Sequence, residues 1–348
     1  MRETLTCNDI CERVARKGLA VMDLGHYTGI LLLHAMARNA LRGGSPGLEE
    51  VQDLLAPFVA GEKDFKCNFP NYRCGGNATA YLLREGRLPQ AADTARHYAE
   101  EILNDAPRSP EGILCKVDSP AAHKIWIDVA FAVTPFLIYT GLALDEERYV
   151  EEGFQQTARM VNLLRDPANR LLNQAFNFRH PGHRSQDHWS RGNGWGILAL
   201  AELVQGLPEG HPRRAESEEM FRDLLEACLA FQDEDGMWHQ EITRMDSYVE
   251  TSGTGLILYA LGVGLERGLV AETHRAAFEK GLRGCLSYIA LDGSVHHCCR
   301  GCLCPGEGTI EDYMAKPHPM NDAHAFGPMV LAFDQAARLG LSEIDTTP

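Results

Sequence analysis

The chain contains no uninterrupted apolar stretch long enough to span a bilayer, and its first residues, Met1 to Asp9, include no apolar signal-like region. The sequence therefore predicts a cytoplasmic protein with no membrane partner. Positive charge is also scarce, since 33 Lys and Arg face 48 Asp and Glu, a formal net charge of -15. Nucleic acid and anionic lipid surfaces both require a field of Lys and Arg, so neither is expected as a partner. A small anionic ligand stays compatible with this balance if cations are placed locally. Strand-like alternation is sparse throughout, which argues against an all-β or α/β fold. A disulfide framework is not indicated either, because the eleven cysteines are odd in number and scattered through helical patterns, as buried thiols of a reducing compartment are.

What the chain does have is a repeated alternation of buried and amphipathic helical segments. Leu24 to Asn39, Gly75 to Leu83, Val129 to Leu144, Gly194 to Val204, Gly253 to Leu265 and Ala323 to Leu339 are mostly apolar. Between them lie amphipathic stretches at 47–59, 89–104, 146–164, 213–231 and 272–289, with another at 8–19. In 146–164, Tyr149, Gly153, Thr157, Met160 and Leu164 step by three or four and so share one helix face. The last buried segment has no amphipathic helix after it, and the first amphipathic helix has no partner before it. Pairing those two closes a ring, so the pattern predicts an all-α fold, an (α/α)6 toroid of six inner and six outer helices forming one domain over 1–348. Short hairpins are expected in the long loops 105–122, 233–249 and 291–320.

Each buried segment opens on a polar cluster followed within a few residues by Gly or Ala. The openings are Asp23-Leu24-Gly25-His26-Tyr27, Asn71-Tyr72-Arg73-Cys74-Gly75-Gly76-Asn77, Trp126-Ile127-Asp128, Arg191-Gly192-Asn193-Gly194-Trp195, Glu250-Thr251-Ser252-Gly253-Thr254 and Asn321-Asp322-Ala323-His324. Small residues let helix ends crowd an axis, where free N–H groups and the positive ends of helix dipoles favour polar or anionic ligands. Six helices also need six N-caps, which accounts for Asn and Asp, including Asn193 as a cap, but poorly for Arg191, Trp195, Trp126 and His188. Pro135 and Pro328 each lie seven residues after the polar residue that opens their repeat, Asp128 and Asn321. Proline fits a first helical turn and disrupts later ones, so the regular helices are expected to begin near these prolines, with Asp128 on a preceding loop or distorted turn.

With these openings in view, the chain resembles the unsaturated uronyl hydrolases of glycoside hydrolase families 88 and 105, most closely the unsaturated rhamnogalacturonyl hydrolases of family 105. The resemblance rests on Trp126-x-Asp128 ahead of an apolar helix with Pro135, on Arg191-Gly192-Asn193-Gly194-Trp195, on Glu250-Thr251-Ser252-Gly253-Thr254 and on Asn321-Asp322-x-His324, in that order. It implies the (α/α)6 fold reached independently from the repeat. It also implies hydration of a 4,5-unsaturated uronic acid at the non-reducing end of a short anionic oligosaccharide left by a polysaccharide lyase, with no cofactor. Asp128 matches the catalytic aspartate, acting first as acid and then as base. That role needs a carboxyl still protonated near neutral pH, and Ile125, Trp126, Ile127, Val129 and Phe131 supply the apolar neighbours that raise a carboxyl pKa. From the residues alone, Asp128 serves equally well as a helix cap.

Arg191 and Trp195 match positions lining the sugar site, where a guanidinium pairs with a carboxylate and an indole stacks on a ring, and Trp126 matches another. His188, Tyr27, Glu250 and His324 are further candidates for substrate contact. Lys116 corresponds to a substrate-facing lysine, with two extra residues before Asp128, and Cys115 stands where family members often have His. Gln174 replaces a histidine common in the family, and Asn71 and Tyr72 stand where an acidic residue is expected. These departures bear on which sugar follows the uronate more than on the reaction.

Residues 296–304 place six Cys and His in nine positions. Cys298, Cys299, Cys302 and Cys304 are compatible with a structural zinc, although zinc sites commonly draw on two separated pairs, and the favoured reading has no metal. Other function classes fit the same toroid. An inverting glycosidase would pair Asp128 with Glu250 or Asp322 across the scissile bond. A sugar epimerase would use histidines such as His26, His188 and His324, and a catalytically silent carbohydrate-binding protein would keep Arg191 and Trp195.

Overall fold

The computed structural model describes residues 5–63, 76–119, 122–302 and 308–344. Six inner helices stand around one axis: α2 (Tyr27–Leu41), α4 (Gly76–Arg84), α6 (Asp128–Leu144), α8 (Ser190–Gly206), α10 (Thr251–Glu266) and α13 (Phe326–Arg338). Each packs on the next, and α13 packs back on α2, so the ring closes. Outside lie α1 (Cys7–Val21), α3 (Leu48–Val59), α5 (Ala92–Asn104), α7 (Glu147–Leu164), α9 (Arg214–Leu229) and α11 (Arg275–Leu286). The expected closure is present: α1 packs on α13, and Cys7 N–H donates to the Ser342 carbonyl at 3.0 Å. This arrangement is the (α/α)6 toroid that the periodicity predicts.

The burial pattern follows from the residue patterns. Every residue of α6 from Asp128 to Gly141 is buried, as a helix ringed by neighbours requires. In α7 the buried face includes Tyr149, Gly153, Thr157, Met160 and Leu164, while the rest meets solvent. Neighbouring inner helices nearly touch at their openings. A Cβ on Gly253 would lie 2.5 Å from the Ser190 carbonyl carbon, and one on Gly194 would lie 2.8 Å from a Leu256 methyl. Only glycine allows those approaches.

Two expectations about helix starts are corrected. Pro328 does lie in the first turn of α13, but α6 begins at Asp128, and Pro135 sits inside it. Proline removes the N–H that would bond to the carbonyl four residues back. That carbonyl belongs to Phe131, and Asn77 of α4 donates to it from its side-chain amide at 3.0 Å. A neighbouring inner helix thus satisfies the orphaned acceptor where α6 continues through the proline. Asn193 does not cap α8, which starts at Ser190 with no side-chain cap. It clamps the Leu172 backbone instead, accepting from its N–H at 2.8 Å and donating to its carbonyl at 3.0 Å.

Of the expected hairpins, one forms a small antiparallel sheet: β1 (Lys116–Ser119), β2 (Ala122–Trp126) and β3 (Ala175–Phe176) in that order. Lys116 lies opposite Lys124, and Trp126 opposite Ala175. The loops 233–249 and 291–320 contribute isolated bridges, His239 to Val249 and Ile289 to Val295, and the short helix α12 (Ile310–Met314). At the far ends of the inner helices, the axis holds a buried polar network. Glu202 receives the hydroxyls of Tyr139 and Tyr259 and lies 3.1 Å from the His34 ring and 3.6 Å from Arg38. No helix among the described residues is long and apolar enough to cross a membrane.

Candidate active site

Asp128 is the first residue of α6 and is 4% exposed. Strand β2 delivers it there. Ile125 turns into the core and Trp126 toward the sheet's other face, and the Ile127 N–H donates to the Gln174 carbonyl at 2.9 Å. Burial pushes the Asp128 carboxyl up to about 6. Several groups oppose that rise: the Gln174 amide, which donates to Oδ2 at 3.2 Å, the Arg191 charge, its own backbone N–H and the Trp195 indole. The indole N–H lies close enough to favour the charged form, yet outside hydrogen-bond geometry. The result is a carboxyl that changes protonation near neutral pH, as general acid-base work requires.

Around it stand Tyr27 from α2 and Asp322 and His324 from the approach to α13. Tyr27 Oη meets His324 Nε2, and the opposite ring nitrogen of His324 lies 2.6 Å from an Asp322 carboxylate oxygen. Burial, followed by the nearby Arg191 charge, lowers the His324 pKa to about 4 despite Asp322. His324 is thus neutral, with Nδ1–H donating to Asp322 and Nε2 accepting the Tyr27 hydroxyl. The fields of Arg191, Asp128, Cys302 and Asp322 all act on Tyr27, so these residues share one neighbourhood.

Arg191, Trp195 and Glu250 are buried more deeply than Asp128. Arg191 is fully buried, and its Nε and Nη2 have no hydrogen-bond partner among the described residues. Its Nη1 donates to Ser252 Oγ at 2.9 Å and to the Cys299 carbonyl at 2.8 Å, and its guanidinium lies against the Trp189 ring at 4.4 Å. Trp195 is 1% exposed, and its indole stacks on Phe131 at 4.2 Å and 21°. That face is therefore closed to a sugar, while the N–H edge is turned to Asp128. Glu250 is a structural hub. Its carboxylate accepts from Ser252 N and Oγ, Gly253 N, Ser190 Oγ and Cys299 N, and lies 3.7 Å from Arg191. With both oxygens so engaged, it has no capacity left for a substrate.

His188 is not brought to Asp128. Its Nε2 lies 3.0 Å from Asp166 and 3.1 Å from Asn169, and Nδ1 lies 3.4 Å from Glu241. Lys116 is exposed on the β1–β2 sheet, across from Lys124, whose ammonium lies 5.3 Å from the Phe178 ring centre. Trp126 meets Phe178 edge to face at 5.1 Å and forms the wall two residues from Asp128. Asn71, Tyr72 and Cys304 lie outside the described residues. The other cysteines of the cluster do not converge as ligands. Cys298 Sγ faces Asp322 at 3.9 Å, whereas Cys299 Sγ accepts from Gln240 at 2.9 Å, and burial raises both thiols. Among the described residues, no group of three Cys, His, Asp or Glu is arranged to hold a metal.

Sequence reasoning missed several members of the site. Tyr313 of α12 donates from its hydroxyl to Gln174 Oε1. Asp187 accepts from the Gln174 and Trp189 N–H groups at 3.2 and 3.1 Å, and burial together with Glu241 pushes it up to about 7. The only signal for Tyr313 was the Thr309-x-x-Asp312 pattern, which forms a capping box at the start of α12.

Comparison with known proteins identifies the family and the fold. A model of Glycosyl Hydrolase Family 88 matches residues 26–339. Over 173 residues the chain is 32% identical to the unsaturated rhamnogalacturonyl hydrolase YesR of Bacillus subtilis, a match covering 49% of this chain and 50% of that protein. It is 28% identical over 155 residues to an unsaturated 3S-rhamnoglycuronyl hydrolase of Formosa agariphila, covering 42% of this chain and 41% of that one. The chain thus spans about half the length, or less, of these relatives. Among solved structures, a possible GH105 family member from Salmonella enterica gives a TM-score of 0.83 at 20% identity, covering 96% of this chain and 94% of that one. A family 105 glycoside hydrolase from C. acetobutylicum gives 0.82 at 21% identity, covering 95% and 99%. These structural likenesses establish a shared fold, and the family match extends from His26 past His324 and includes Asp128, so the chain belongs to Glycosyl Hydrolase Family 88.

Proposed function

We propose that the chain releases a 4,5-unsaturated uronic acid from the non-reducing end of lyase-generated oligosaccharides by hydrating the C4=C5 vinyl ether. Asp128 gives its proton to C4, and water adds at C5 as the same carboxylate takes a proton from it. The hemiketal so formed opens and frees the neighbouring sugar. The observation that carries this reading is a buried carboxyl at the mouth of the inner ring, pushed up to about 6, so that one group serves as acid and then base. Arg191 supports it as a nearby positive charge that favours a uronate carboxylate and the Asp128 carboxylate left when its proton moves to C4. Trp126, Tyr27 and His324 line the approach, and the named activities of the relatives from Bacillus subtilis and Formosa agariphila belong to the same chemistry.

The glycosidase alternative loses support because Glu250 is saturated by donors and Asp322 is engaged by His324. The epimerase alternative loses support because His324 is held neutral and His188 is engaged elsewhere. The proposal extends to one catalytic domain over 1–348 and to a cytoplasmic location, which is supported by described cysteines that form no disulfide. The test is a panel of lyase-generated unsaturated disaccharides followed by loss of ultraviolet absorbance. Turnover is expected from the wild type and not from Asp128→Asn, and an inactive wild type on every such sugar would overturn the reading.

A further inference from the structure

Three buried side chains from separate segments form a line that ends at the acid. Asp128 opens α6, Gln174 lies in the chain between α7 and α8, and Tyr313 lies in α12. Gln174 and Tyr313 are fully buried, and Asp128 nearly so. Gln174 Nε2 donates to Asp128 Oδ2 at 3.2 Å, and the Tyr313 hydroxyl donates to Gln174 Oε1. Tyr313 is itself held on several sides. Thr309 and Asp312 cap its helix, Gln240 donates to its carbonyl at 3.2 Å, and its ring lies 5.9 Å from that of Trp189.

A primary amide has a donor end and an acceptor end, and either can be turned toward a carboxyl. Leaving the acceptor end unpaired in a buried site is costly. With the Tyr313 O–H on Oε1, the N–H end is the one left for Asp128. An oxygen that already accepts an amide N–H is a poor place for a second hydrogen, which leaves the other carboxyl oxygen to carry the proton.

We propose that Tyr313, acting through Gln174, is a positioning residue that fixes the amide N–H on Asp128 Oδ2 and so assigns the transferable proton to Oδ1. The inference rests on the reading of Asp128 as general acid and deepens it. The Oδ1–H bond breaks as C4–H forms. The bond from Oδ1 to hydrogen forms again when water loses its proton in attacking C5. Gln174 and Tyr313 keep all their hydrogens throughout, and Asp128 ends as it began.

His26 and Tyr27 at the start of α2, Asp187 ahead of α8 on the Gln174 N–H, Arg191 on α8, Cys302, and Asp322 with His324 before α13 are other titratable or charged groups around Asp128 and Gln174. Tyr313→Phe changes none of them, so a displaced Asp128 titration reports on the amide. Protein labelled with 13Cγ-aspartate shows that titration without substrate, and Asp128→Asn identifies the signal. In Tyr313→Phe the Asp128 titration is expected to move to higher pH by about one unit, because the amide is no longer held with its N–H on the carboxylate. Gln174→Leu, which removes the donor outright, is expected to move it the same way. On an unsaturated disaccharide, kcat is expected to fall about tenfold with KM nearly unchanged, and the basic limb of the pH profile should move with the titration. An unmoved Asp128 titration in both folded variants would overturn the proposal, as would a higher KM with an unmoved basic limb. A wild type inactive on every unsaturated sugar would overturn the hydrolase reading instead, and the titration would still decide the role of Tyr313.

Discussion

Asp128→Asn separates what the carboxyl does for chemistry from what it costs the fold. Burial raises its pKa from the usual 3.8 to about 6, so the native state resists ionising it while the unfolded chain does not. For a raised carboxyl, the native state binds more protons than the unfolded state between those two values. Stability associated with the group is therefore full below the lower value and is lost as pH rises through about 6. At about 1.36 kcal/mol per pKa unit, the wild type carries a penalty of about 3 kcal/mol at pH 8. Asparagine keeps the shape, still accepts from Gln174 and never ionises. The variant is thus expected to melt about 4 °C higher than the wild type at pH 8, and level with it below pH 4. Its turnover of an unsaturated uronide should fall by about 10²- to 10⁴-fold, the usual contribution of a general acid-base group. Differential scanning calorimetry across pH and an ultraviolet absorbance assay provide the two measurements. Equal melting at every pH would refute the buried-carboxyl argument, and retained turnover would refute the catalytic one.

Other features make equally concrete predictions. Asn77→Ala should cost about 1–3 kcal/mol in urea denaturation by orphaning the Phe131 carbonyl, and much less in a Pro135→Ala background, where the residue 135 N–H can take over. Equal costs in both backgrounds would show that the amide does not compensate the proline. Gly253→Ala should push the α8 and α10 openings apart, since the added Cβ would meet the Ser190 backbone at 2.5 Å. Its expected destabilisation is about 1–3 kcal/mol with reduced kcat, and a wild-type melting curve would contradict the close approach. Metal analysis of the purified protein should find no stoichiometric zinc, and a chelator should leave melting unchanged. A lower melting point with EDTA would reinstate a metal at the cysteine cluster.

The ring was legible because burial imposes periodicity. An inner helix must be apolar nearly all round and an outer one only on a face, so twelve such segments in alternation already imply a closed toroid. The openings were legible too, because helix ends that meet at an axis need small residues, whereas Asp128 was singled out among them by the family resemblance and not by its neighbours alone. The directions and partners of side chains were decided only in three dimensions. The helix that carries Arg191 and Trp195 begins four residues earlier than a cap at Asn193 implies, and it packs the guanidinium against Trp189 and the indole onto Phe131. His188 carries the same residue type as a site histidine but meets Asp166 and Glu241, carboxylates 22 and 53 residues away in sequence. Pro135 breaks a helix by local rules, and an amide from another helix overrides them. Gln174 and Tyr313, separated by 139 residues, meet only because the toroid brings the loops at the helix openings to one end of the axis. Local sequence thus determined which helices form and which faces they bury. The partners that tune Asp128 belong to contacts between distant loops, and periodicity carries no record of those.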